Sequence, residues 1–476
     1  MKKIIFSAVL LFGVLSACTD NFEEINSNPN LINQISPGTL LNEVIYNMSS
    51  NNLRNYYGIT ADLMQVKFNY PSFYGGIHRY EIIEGTGNSQ WDASYKWMKN
   101  IREMLAVSEK PNDANYKAIG LTLNAWVASN LTDSFGDIPY SEALQGDQGI
   151  RMPKYDTQEA IYSQLLKDLE QANALYDSKL PMLYGKDILF NNDVQQWQRF
   201  TNSLRLRLLL RISKVKPDAI TQMVQILSDP AKTPIIDNDQ QSVFLNITGV
   251  TPNLSPWSRA LDFSNGQVVS QFFIELLNDL NDPRRAVLVV PAKNLQGQEI
   301  GFKGIPSAYD GDDSQFQFTP SNMNNKQVVA PMKIPIITFS EILFIKAELA
   351  QRDLYNSASA KLYFESAVKS AIKFVSNSTV EDSYFNQEKA KYNNTLEQII
   401  THKYLALYFT DYQQWSEYRR TGYPRLPKTQ SMLNQGNMPS RLLYPADQKT
   451  YNSQNYLDAS QRQGGDHINA KVWWNQ

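Results

Sequence analysis

The chain has 476 residues, 19% of them charged, and 45 Lys and Arg stand against 47 Asp and Glu for a formal net charge of -2. That balance offers no basic footprint for nucleic acid and no polybasic patch for an anionic membrane surface. Three His and one Cys leave little for transition-metal ligation and exclude a disulfide within the chain, so a body of this size is held by its hydrophobic core. The 26 Tyr, 21 Phe and 8 Trp are more informative. Most such rings belong to cores, but their flat, weakly polar faces also suit stacking against sugar rings.

The N-terminus reads as a secretory signal in three parts. Lys2 and Lys3 supply positive charge, Ile4 to Leu15 form an apolar run, and Leu15-Ser16-Ala17-Cys18 closes it. Such a run suits a signal peptide and falls short of the roughly 20 residues that span a bilayer. Cys18 stands where a bacterial lipoprotein carries its lipid. The alternative, a buried thiol placed there by chance, is disfavoured by the apolar run in front of it. The expected division is a signal peptide over 1–17, a lipidated tether over 18–35 and one domain over 36–476. The tether, with Asp20, Glu23, Glu24 and Pro29, is polar, acidic and turn-rich.

Helical periodicity follows. Trp91, Tyr95 and Trp97 fall on a helix, and the four-residue spacing of the first two favours packing over binding. Tyr116 to Leu131 places Ile119, Leu123, Trp126 and Val127 on one stripe, with small Ala118, Ala125 and Ala128 allowing close approach. Gly136 and Pro139 then turn the chain. Asp156 with Glu159 resembles a capping box before a helix bearing Ile161, Leu165 and Leu169. Further helices are predicted from about Asp193 to Ser213, as a pair between Phe339 and Phe374 with a turn at 353–357, and from Leu396 to Arg419. Antiparallel pairs with small residues at the crossings look like degenerate tetratricopeptide repeats. The stretches 68–90, 177–192, 230–265 and 286–338 lack this period, and 230–338 is expected to form an irregular second lobe. Ser242–Ile247 and Ala286–Val290 are candidate strands within it.

Several stretches together resemble one family, the SusD/RagB nutrient-binding outer-membrane lipoproteins, and in particular their SusD-like subgroup. They are Leu15-Ser16-Ala17-Cys18 with Phe22-Glu23-Glu24-Ile25-Asn26 behind it, Asp133-Ser134-Phe135-Gly136-Asp137-Ile138-Pro139-Tyr140, Tyr155-Asp156-Thr157-Gln158-Glu159-Ala160, and Trp197 through Arg207. Next come Asn281-Asp282-Pro283-Arg284, Phe344-Ile345-Lys346-Ala347-Glu348, Trp415 through Pro424, Pro439-Ser440-Arg441 and Gly464-Gly465-Asp466. The resemblance implies a mostly α fold, with a tetratricopeptide-like helical-pair core and an irregular, loop-rich second lobe. It also implies a lipid-anchored protein on the outer face of the outer membrane. Such a protein captures an oligosaccharide or other nutrient for a SusC-type TonB-dependent transporter, with no cofactor and no catalytic residues.

Ligand-binding candidates come from the aperiodic loops. In Asn69-Tyr70-Pro71-Ser72-Phe73-Tyr74-Gly75-Gly76, the rings of Tyr70, Phe73 and Tyr74 have no helical spacing, so the backbone can present them to solvent. Trp257 between Pro256 and Ser258 is a second candidate, followed by Tyr309 and Phe316. Asp310-Gly311-Asp312-Asp313-Ser314 imitates a calcium loop, but Ser321 stands where the bidentate Glu belongs, and an acidic turn is the better reading. Arg419-Arg420-Thr421-Gly422-Tyr423-Pro424 reads as a helix stop. His402 is assigned to packing or surface, and Trp473 and Trp474 to pinning the C-terminus. Two other classes compete: a glycoside hydrolase, needing two carboxyl groups roughly 5 to 10 Å apart, and a helical-repeat scaffold that binds proteins.

Overall fold

The computed structural model describes residues 35–72 and 75–476. Cys18, the signal peptide and nearly all of the tether lie outside the described residues, as do Phe73 and Tyr74.

The chain builds a row of packed helices: α1 (Leu41–Asn55), α2 (Asn88–Val107), α3 (Ala114–Phe135), α4 (Gln158–Leu175), α5 (Val194–Ile212) and α6 (Asp218–Ser228). Each packs against the next in sequence. The helix α3 is buried on every side because α2, α4 and α5 all pack against it, with Gly120 close against Leu105 of α2 and Ala118 against Ala172 of α4. Gly136 ends it with φ at +81°, and a two-residue ladder, β2 (Ile138–Pro139) on β3 (Tyr155–Asp156), returns the chain into α4. The cap of α4 is Thr157, whose hydroxyl accepts from the Ala160 N–H at 3.3 Å, one residue beyond the expected Asp156. Asp156 instead accepts from the backbone N–H groups of Tyr140 and Ser141 and so holds the β2–β3 turn.

Between these helices and the last ones lies the second lobe. Its ladders are β1 (Lys67–Asn69) on β5 (Gln267–Val269), β4 (Val243–Ile247) on β8 (Met332–Ile337), and β6 (Lys293–Asn294) on β7 (Phe318–Thr319), all antiparallel. One further helix, α7 (Gln271–Asp279), follows β5. The strand expected at 242–247 is thus present as β4. The one expected at Ala286–Val290 is not: Arg285–Leu288 form a single helical turn, because Asp282 accepts from the backbone N–H of Arg284 and starts it.

After β8 come α8 (Phe339–Gln351), α9 (Ala360–Ser376), α10 (Leu396–Ala406) and α11 (Gln413–Thr421). The last two were expected as one helix. Phe409 and Asp411 break it, with φ at +67° and +32°. The Asp411 carboxylate accepts from the N–H of Tyr412 and from Asn130 and Trp126 of α3, which ties the break to the core. Periodicity hid the break because Leu405, Tyr408, Tyr412 and Trp415 are buried on both sides of it.

Many of the residues that carry the resemblance form a buried ionic frame between helices. Arg420 makes a bidentate pair with Glu348 of α8, both bonds at 2.6 Å, and meets Glu417 at 2.7 Å. Glu417 also faces Lys403 at 2.9 Å and Arg211 at 3.8 Å, and Arg211 meets Asp133 at 2.5 Å. The left-handed Gly422 does end α11, but its two arginines are buried partners rather than exposed counter-charges. Trp474 anchors the C-terminus, donating from its indole to Asp133 at 2.7 Å.

Candidate functional site

Three loops of the second lobe converge on a group of rings separate from the main core. Strand β1 leads into the first, and its pairing with β5 brings Tyr70 beside Gly266, to whose carbonyl its N–H donates at 2.8 Å. Arg79 then fastens the loop. Its guanidinium donates to the carbonyls of Ser431 at 3.2 Å and Tyr309 at 3.3 Å, and lies 5.8 Å from the Tyr309 ring.

Phe68 is fully buried and stacks on His78 with centroids 5.3 Å apart. Tyr309, also buried, stands 6.3 Å from both Phe68 and Tyr70 and meets Phe316 edge-on at 5.0 Å. Phe316 in turn meets Phe318 at 6.3 Å. The outer rings, Tyr70, Phe316 and Phe318, are partly exposed, so the buried members form a base and these three form a ledge. Burial, and the bond its hydroxyl donates to Asp313, push the Tyr309 phenol up to about 12, which keeps it a neutral donor.

Beside the ledge lies a cleft of about 200 Å³ lined by Phe302, Phe316 and Phe318 and by Gln271, Glu275 and Asn278 of α7. Lys303 holds its ammonium 4.1 Å from the Phe318 ring at the edge of the cleft. Aromatic faces with amide, carboxylate and ammonium groups alongside are the equipment for a ring that is apolar on its faces and hydroxylated at its rim.

The carboxyls of the neighbouring acidic turn are otherwise engaged. The Ser431 hydroxyl and the N–H groups of Ser431 and Gln430 hold Asp310 below the usual carboxylate range, and Ser314 does the same for Asp312. A glycosidase acid needs the opposite shift.

Of the residues expected from the sequence, Tyr70, Tyr309 and Phe316 come together here. Trp257 does not join them. It lies partly buried on the main core, edge-on to Tyr57 at 5.7 Å and Phe263 at 5.2 Å, with the Arg54 guanidinium 5.9 Å from its ring. Phe302, Lys303 and Phe318 were not anticipated, although the alternation of Phe316 and Phe318 across Gln317 places both rings on one side of an extended segment.

The family model described as "Starch-binding associating with outer membrane" matches residues 29–445. Among curated sequences none matches. A chitin-binding protein superposes with a TM-score of 0.78 at 23% identity, covering 93% of this chain and 100% of its own. A SusD homologue from Bacteroides fragilis gives 0.78 at 21% identity, with 93% and 100% covered. A chitin-binding SusD homologue from Flavobacterium johnsoniae gives 0.76 at 22% identity, with 91% and 99% covered. The fold is theirs, and since the family model spans most of the sequence, the chain belongs to the SusD-like family.

Proposed function

We propose that this protein is a lipoprotein of the outer membrane, anchored through Cys18 and facing the exterior, that captures an oligosaccharide on the ledge of Tyr70, Phe316 and Phe318. It passes that ligand to a SusC-type TonB-dependent transporter and performs no chemistry on it. The observation that carries the reading is the ledge itself: partly exposed rings on a buried aromatic base, bordered by a cleft that polar groups also line. Family membership supports the outer-membrane and glycan parts, and the chitin-binding relatives make chitin oligomers the first probes.

Phe316→Ala removes a face of the ledge without opening the main core, since Phe316 packs only against the satellite ring cluster. The expected result is a loss of about tenfold or more in affinity for the tightest-binding member of a set of chitin and malto-oligosaccharides, with an unchanged urea midpoint. Titration calorimetry on both proteins reads it. Equal affinity in the two rejects the ledge as the site.

A further inference from the structure

A second cleft, of about 240 Å³, opens where the second lobe meets the end of α9, and it shares no lining residue with the ledge or the cleft beside it. Its apolar walls are Phe374 from α9, Met332 and Pro335 from β8, and Phe409 from the break between α10 and α11. Among the described residues Lys326 and Lys333 line it and no carboxylate does. Among the described residues neither lysine makes an ion pair. Lys333 is instead held over the rings of Phe244 at 4.7 Å and Phe374 at 5.3 Å.

The Gln327 amide in the cleft is already committed. Gln327 donates to the Leu288 carbonyl at 2.7 Å and accepts from the Tyr408 hydroxyl at 2.9 Å, so neither end of its amide is available. The C-terminus of α9 ends here at Asn377, but a helix end offers only about half a negative charge against two full positive ones.

We propose that this cleft is a second binding site, for a single sugar ring bearing a carboxylate, that is, a uronate. The volume is enough for one sugar ring. Its C–H face would lie on Phe374, which is only partly buried, and its carboxylate would meet the two ammonium groups with charge-assisted hydrogen bonds. The choice of a sugar as the bearer of the charge rests on the glycan-binding reading, whereas the preference for an anion does not.

The test is a calorimetric or NMR titration of the protein with D-glucuronate, with D-glucose and acetate as controls. Glucuronate is expected to bind, to weaken about tenfold in the double variant Lys326→Gln/Lys333→Gln, and to bind normally to Phe316→Ala. Raising the salt from about 0.02 to about 0.3 M should weaken it, because the lysines are solvent-facing. Lys333→Arg keeps the charge and should keep most of the affinity, which separates a lost ligand from a damaged fold. No binding of glucuronate, or binding indifferent to the lysines, overturns the proposal. Acetate binding as tightly as glucuronate removes the sugar from it. Loss of glucuronate in Phe316→Ala instead would move the uronate to the ledge. Failure of the ledge reading is distinguishable, because it appears as neutral-oligosaccharide affinity untouched by Phe316→Ala.

Discussion

Glu417→Ala is expected to lower the unfolding free energy by about 3–5 kcal/mol, the range for breaking a buried ion pair by removing one partner. Glu417 is buried among Arg420, Lys403 and Arg211. Burial alone would raise its carboxyl, but the three cations outweigh burial and hold it far below the ordinary carboxylate range. Deleting the carboxylate therefore leaves buried positive charge with too few partners. Glu348 still serves Arg420, but among the described residues Lys403 pairs with no second acid. Urea unfolding followed by tryptophan fluorescence reads the loss. A change of about 1 kcal/mol or less would be that of an exposed pair and would contradict the frame described above.

Acidification is the second large effect, and it acts through histidines rather than this carboxylate. Burial lowers His402 from the ordinary 6.5 to about 4, with Arg284 nearby adding to the shift and Asp282 opposing it. Burial also lowers His78 to about 4, helped by Arg79 and Lys67. For both, the folded state favours the neutral ring. Their contribution is complete above pH 6.5, where the unfolded chain is neutral too, and is lost as pH falls towards 4 because only the unfolded chain takes up the proton. At about 1.4 kcal/mol per pH unit, each histidine removes about 3 kcal/mol over that window. Glu417 contributes little over most of that window, since its stabilisation is complete above the unfolded carboxyl's 4.5 and is lost progressively only as the pH falls below that value. Unfolding midpoints at pH 7 and pH 4.5 measure the slope, and the double variant His78→Gln/His402→Gln should flatten it. A slope equal in both proteins would place the titrating groups elsewhere.

The helical core was legible because burial on one face leaves a 3.6-residue signature, and α3, α5, α8 and α9 stand close to where their apolar stripes place them. The same signature concealed the break at Phe409, where burial continues although the helix does not. Ala286–Val290 misled for a related reason: a short apolar run has no period of its own, and Asp282 turns it into a helix start. The signature residues Asp133, Glu348, Glu417 and Arg420 marked the family correctly while their work is internal, as a charged frame between helices.

At the site, aperiodic rings flagged Tyr70, Tyr309 and Phe316, which the β1–β5 ladder and Arg79 bring together from distant parts of the chain. Trp257 had the same loop setting but packs on the core, since only tertiary contacts separate a presented ring from one that closes a lobe. Lys303 and Phe302 carried no local signal at all.

Whether sugar binds on the ledge and leaves intact is read from a crystal structure of the protein with its tightest-binding oligosaccharide. The expected structure holds an uncleaved chain with one ring stacked on Phe316 and Phe318 and its hydroxyls turned towards Gln271, Asn278 and Lys303. A ligand seated along the helical pairs, or a cleaved one held between two carboxylates, would contradict it.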